Sequence, residues 1–221
     1  MTDACAAAPW QNEVMGHFLD LDGWKRREHF DYFRRIALPF FSVSVEIEVT
    51  MLREACRAGG RSFFLASLFH ALYAANQTEE MRMRLRGERV WVHERLRISS
   101  TILRPDETFG FIRLDPEDDA GAFEERGRTA MERARGGGPS LSDEGDDDVI
   151  YHSTLPWIRF TGFTNALPLG GDSIPRVVFG RCAPDGTRWR MPVAVEVHHA
   201  LVDGLAVARF LERLEKRVGG G

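Results

Sequence analysis

From Ser42 to Val49 apolar and polar residues alternate: Val43, Val45, Ile47 and Val49 against Ser44, Glu46 and Glu48. A period of two puts the apolar set on one face of an extended chain and predicts a strand with one buried side. The period then changes. Thr50 is placed to cap a short helix that Gly59-Gly60 closes, and Ser62 to cap a longer apolar helix reaching about Gln77. Upstream, Asp22 is positioned to cap a helix through residues 24–30 that Pro39 ends. Strand-like runs follow at Arg89–His93, Leu96–Leu103 and Phe109–Leu114, then charged helical spacing over 119–135. Strand patterns return at Val149–Ser153, Arg176–Cys182 and Met191–His199. In the last segment, Leu205–Val218, the residues Val207, Phe210, Leu211, Leu214 and Val218 recur at helical intervals and predict an amphipathic helix. Strands and helices mix without a regular βαβ alternation, which predicts an α+β layered fold.

Two stretches carry no such pattern. Residues 1–18 are Ala-rich and read as a loose extension, leaving 19–221 as a single domain. Gly136-Gly137-Gly138-Pro139 and the acidic run Ser142–Asp148 read as a flexible, solvated segment, without the spacing of a calcium loop. A chain of 221 residues is long enough to bury one core, and 43% hydrophobic with 28% charged residues places it among soluble globular proteins. A net charge of -4 with no basic run argues against a nucleic-acid surface. The longest apolar run, Phe63 to Ala75, is interrupted by Ser67 and His70 and is too short to span a membrane. The opening Met1-Thr2-Asp3 has an acid where a secretory signal needs cations. Cys5, Cys56 and Cys182 are widely spaced and odd in number, which suits a reduced cytoplasm and neither disulfides nor zinc.

The chemistry concentrates in Pro192–Gly204. On a strand, Val193, Val195, Val197 and His199 share one face while Ala194, Glu196 and His198 share the other. His199 therefore ends an apolar row, a setting that favours the neutral imidazole a general base needs. Asp203 follows at the start of the next helix, where the dipole favours its carboxylate. A metal pair is poorly served, because adjacent strand histidines point apart and no HExxH or carboxylate set accompanies them.

His198-His199-Ala200-Leu201-Val202-Asp203-Gly204 resembles the HHxxxDG motif of the chloramphenicol acetyltransferases, shared with peptide-synthetase condensation domains and, as HxxxDG, with lipoamide acyltransferases. Trp24-Lys25-Arg26-Arg27-Glu28-His29-Phe30 resembles the family's W-x-R-R-E-H-F opening, followed by Tyr32-Phe33. Ser153-Thr154-Leu155-Pro156-Trp157 resembles its S-x-L-P-W segment, and Thr108-Phe109 a T-F dipeptide between them. These landmarks stand in family order over roughly residues 18–218.

The resemblance implies an α+β two-layer sandwich with a large mixed β-sheet, assembled as a homotrimer with sites between subunits. One subunit would supply His199 and its neighbour most of the acceptor pocket. His199 would be the base that deprotonates an acceptor hydroxyl for attack on acetyl-CoA, a co-substrate in a metal-free reaction. Ser153 would bind the oxyanion, while Asp203 paired with Arg26 would shape the turn that aims His199, and His198 would be structural. Tyr32, Phe33, Phe41 and Phe109 fall at acceptor-pocket positions and Trp157 at one that contacts the pantetheine arm. Three residues depart from the family pattern. Val178 stands for a threonine, Phe111 for a small residue and Asn165 for an apolar one. Chloramphenicol is the expected acceptor, with another small alcohol as the alternative. A non-catalytic trimeric binding protein of the same fold, and a metal hydrolase using His198, His199 and Asp203, are the rivals from other classes.

Overall fold

The computed structural model describes residues 15–136, 146–168 and 171–219. Its chain order is β1 (Gly16–Phe18), α1 (Arg27–Phe33), β2 (Phe40–Glu48), α2 (Thr50–Ala58), α3 (Phe63–Asn76), a 3-10 turn (Glu79–Arg82), β3 (Met83–Arg86) and β4 (Arg89–His93). There follow β5 (Arg97–Leu103), β6 (Phe109–Leu114), α4 (Ala120–Arg135), β7 (Val149–Leu155), β8 (Arg176–Gly180), β9 (Ala183–Asp185), β10 (Arg188–His198) and α5 (Gly204–Gly219). The main sheet runs β2-β10-β8-β7-β5-β6, with β9 hairpinned onto β10, and a small sheet runs β1-β4-β3. In the main sheet β7 is parallel to both β5 and β8, and the other pairs are antiparallel, so the sheet is mixed.

Alternation along each strand builds two unlike faces. Val43, Val45, Ile47, Ile98, Ile102, Ile112, Ile150, Val177, Phe179, Val193, Val195 and Val197 join Leu65, Leu68, Phe69, Leu72, Phe123, Phe210 and Leu214 of the helices in one core. The other face carries a small apolar cluster, Phe160, Val178 and Ala194, under the segment that follows β7. It also leaves Leu103, Phe109 and Phe111 exposed. Three helices start on side-chain caps: Ser62 accepts from the Leu65 N–H, Asp119 from Ala122 and Asp203 from Ala206.

Several expectations change. Residues 1–14 lie outside the described residues, but Gly16–Phe18 is a strand paired with Trp91–His93, so the loose extension does not reach residue 18. Its Phe18 ring meets Trp91 edge-on at 4.9 Å, an aromatic contact with a partner far along the sequence. The first helix has no side-chain cap from Asp22, starts at Arg27 and ends at Phe33, where the last turn tightens to Arg35→Tyr32 and Ile36→Phe33 bonds well before Pro39. Thr50 is the first helical residue, and its hydroxyl instead accepts from the Trp189 N–H.

The acidic run is the largest revision. Residues 137–145 lie outside the described residues, but its last three members are held by cations and not by solvent. Asp146 meets Arg97 and Arg113, Asp148 meets Arg97, and Asp147 meets Arg86 at 3.0 Å and His93 at 2.9 Å. Burial alone would raise the Asp147 carboxyl, but His93 and Arg86 outweigh it and hold it well below the usual carboxylate range. Beneath this knot lies Arg84, fully buried. Its guanidinium donates to the carbonyls of Asp147 and Val149 at 2.6 Å each, of Met83 at 2.6 Å and of Met81 at 2.9 Å. One side chain thus fastens the small sheet to the start of β7.

Candidate active site

β10 is the strand that aims the chemistry. Val193, Val195 and Val197 point into the main core and Ala194 into the outer cluster, as the alternation requires. His198 stays on the outer side and is buried, its Nδ1 accepting the Ala200 N–H at 3.3 Å. Burial pulls His198 down to about 4, against the opposing pull of Asp172. His198 also lines a cavity of about 630 Å³ together with Leu38, Phe40, Leu167 and Asp172, and His199 takes no part in it.

His199 is the first residue past β10, and its place is set by main-chain bonds. Its N–H donates to the Pro39 carbonyl at 2.6 Å, and its own carbonyl accepts from Arg26 Nη2 at 3.4 Å. The ring lies stacked on Phe33, centroids 3.8 Å apart and planes 13° apart, with Phe41 tilted against it at 4.6 Å. Tyr32 meets Phe33 edge-on at 5.1 Å and is itself exposed. Among the described residues the buried Nδ1 has no hydrogen-bond partner, and Nε2 is the ring nitrogen left open.

Behind this ring sits the ion pair expected from the sequence. Arg26 Nε lies 3.3 Å from Asp203 Oδ2, and Asp203 Oδ1 caps α5. Arg26 also donates to the carbonyl of Leu201, so one guanidinium gathers His199, Leu201 and Asp203 around the turn. The Arg26 side chain is 16% exposed and that of Asp203 37%, so the pair is less buried than a core ion pair.

The remaining site residues lie elsewhere on the same chain. Ser153 pairs in register with Val178, which pairs with Ala194, placing Ser153 on the outer face. His199 lies five residues beyond Ala194 and two strands across from Ser153. At about 3.3 Å per residue and about 4.8 Å per strand, the two are roughly 19 Å apart. Phe109 shares the outer face with Ser153 and meets Phe111 edge-on at 5.8 Å on β6. Trp157 follows β7 and is exposed. Asn165 turns away from open space, its N–H and side-chain amide both donating to buried Glu196, at 3.0 and 2.9 Å. Sequence reasoning missed the Pro39 carbonyl and Thr101, whose hydroxyl lies 3.3 Å from that of Ser153. The first had no signal beyond a proline, and the second needed the register of β5 against β7.

Among the described residues no group of three His, Cys, Asp or Glu side chains could hold a metal, and no helix is long and apolar enough to cross a membrane. A layered sandwich whose longest strand runs straight into a histidine, its carbonyl held by the arginine of an arginine–aspartate pair, is the arrangement in hand, and the relatives it matches are O-acetyltransferases. The family model described as chloramphenicol acetyltransferase matches residues 16–215. A chloramphenicol acetyltransferase of Streptomyces acrimycini is 32% identical over 205 residues, covering 89% of this chain and 91% of that protein. A solved chloramphenicol acetyltransferase superposes with a TM-score of 0.86 at 28% identity, over 92% of this chain and all of that one. A probable dihydrolipoamide acetyltransferase from Listeria monocytogenes, with TM-score 0.69 and 14% identity over 87% of this chain and 89% of that one, shares the fold. The chain belongs to the chloramphenicol acetyltransferase family.

Proposed function

We propose that this protein transfers the acetyl group of acetyl-CoA to a hydroxyl of chloramphenicol, with His199 as general base and Ser153 as the oxyanion donor. The observation that carries this reading is the setting of His199: a ring clamped by Phe33 and Phe41, with Nδ1 buried and Nε2 open. With the proton on Nδ1, Nε2 has a lone pair for the acceptor hydroxyl. As the acceptor's hydroxyl proton moves to Nε2, its oxygen attacks the thioester carbon. The carbonyl oxygen becomes an oxyanion that accepts from the Ser153 hydroxyl. Collapse expels the CoA thiolate, which recovers the proton from His199, and the ester and free thiol leave.

The separation of roughly 19 Å between Ser153 and His199 in one chain argues against both acting on one substrate molecule. It supports a site shared between subunits, here the homotrimer that the family resemblance implies, with His199 of one subunit facing Ser153 of the next. Tyr32, Phe33 and Phe41 then wall the acceptor site from the His199 side and Phe109 from the other, with Trp157 against the pantetheine arm. The two faces differ, so each contact is head-to-tail and closes as a ring. A cytoplasmic location goes with this reading. Incubating the protein with acetyl-CoA and chloramphenicol, and following free thiol beside a panel of other alcohols, tests it. Release with chloramphenicol is expected, and no release with any alcohol would sink it. A different acceptor is favoured by one observation: Phe111, exposed on the outer face and in register with Thr101, takes up room on the side of Ser153. Faster turnover of a slimmer alcohol in the same panel would select that reading.

Arg26 and Asp203 act as a brace and not as a proton relay. Because Asp203 is more than a third exposed, losing either partner is expected to lower stability by about 1–2 kcal/mol, less than for a fully buried pair. Arg26→Ala and Asp203→Ala should each lower both melting temperature and kcat. The double variant should lose less than the two effects summed, because the second change removes the orphaned charge. Additive losses in a melting-temperature cycle would separate the two residues.

A further inference from the structure

We propose that Thr101 positions the Ser153 hydroxyl, donating its own proton to Ser153 Oγ so that the single Ser153 proton is left for the oxyanion. The inference rests on the acyl-transfer reading above. Among the described residues, Thr101 Oγ1 at 3.3 Å is the hydrogen-bond partner of Ser153 Oγ, and either oxygen can be the donor. A hydroxyl has one proton and two lone pairs. If Ser153 spends its proton on Thr101, it presents only lone pairs to a developing negative charge. With the direction reversed, the Ser153 rotor is fixed, its proton is free, and the incoming bond polarises the outgoing one.

The row of side chains across the outer face leaves this task to Thr101. In register it reads Ala194, Val178, Ser153, Thr101, Phe111. The neighbour of Ser153 on β8 is thus a valine without a hydroxyl, and beyond Thr101 stands an aromatic ring. The opposite face holds the two strands in step, with Ser100 Oγ and His152 Nδ1 2.9 Å apart one residue back along each strand. The strands β5 and β7 are thereby pinned by polar pairs on both faces, which fixes the spacing of Thr101 and Ser153.

Thr101→Val removes the donor while keeping shape and a strand-favouring side chain. Expected is a fall in kcat of about 3- to 10-fold, KM for both substrates unchanged, the melting temperature maintained, and recovery in Thr101→Ser. Ser153→Ala alone should lower kcat about 10²–10³-fold, and adding Thr101→Val to it should cost nothing more. Wild-type kcat in Thr101→Val, a loss confined to KM, or losses that multiply in the double variant would overturn the role of Thr101. Wild-type kcat in Ser153→Ala would instead remove the oxyanion assignment beneath it. Should Thr101→Val fold poorly, Thr101→Ala measured against Thr101→Ser gives the same comparison.

Discussion

Replacing His199 with alanine is expected to lower kcat about 10²–10⁴-fold, the range a positioned general base supplies, and to leave melting temperature and assembly nearly unchanged. The separation of the two effects follows from how the residue is held. Its strongest anchors are main-chain ones, the N–H to Pro39 and the carbonyl to Arg26, and alanine keeps both. The brace from Arg26 to Leu201 and Asp203 does not involve the ring at all. What alanine removes is Nε2, together with one face of the stack on Phe33. Steady-state assays with acetyl-CoA and the acceptor, beside a thermal melt, check this. A variant retaining more than about a tenth of wild-type turnover would remove His199 as the base.

Arg84→Met is expected to do the reverse, damaging the fold far more than the chemistry. Four carbonyls, from Met81, Met83, Asp147 and Val149, depend on this one guanidinium in the interior. Burial brings Arg84 down to about 10, countered by Asp147, so the group stays charged at neutral pH. Methionine fills much of the space and offers no donor, leaving buried acceptors unpaired. A loss of about 3–5 kcal/mol follows, seen as a drop in melting temperature of roughly 10 °C for a chain of this size. Arg84→Lys should recover only part, because a compact ammonium cannot reach four carbonyls spread around a planar fork. Below the melting transition, kcat should stay close to wild type. A melting temperature within about 2 °C of wild type would show that the carbonyls find other partners.

Legibility in the sequence followed the range of the forces involved. The β2 alternation could be read directly because that strand is the edge of the main sheet, with Ser42, Ser44 and Glu46 on its outer side. The facing of Val193, Val195 and Val197 away from Ala194 and Glu196 was equally plain. By contrast Met83-Arg84-Leu85-Arg86 has two arginines in four residues and reads as polar, and it is a strand only because β4 pairs with it and distant carbonyls receive Arg84. Asp146, Asp147 and Asp148 look like a solvated run until Arg86, Arg97 and Arg113 arrive from other strands. The site divides the same way. His199, Asp203 and Arg26 came from short motifs, the first two from one turn. The gap of roughly 19 Å to Ser153 emerged only from the strand order, which a linear reading does not contain.

That gap has a genetic reading. In the proposed ring every chain brings one half of a site to each of two neighbours, so a defect belongs to a half and not to a whole protein. A cell that makes one chain without His199 and another without Ser153 makes two products, each inactive by itself. Wherever a sound half of one meets a sound half of the other, a working centre returns. Lesions on different faces therefore rescue each other, and lesions on the same face never do.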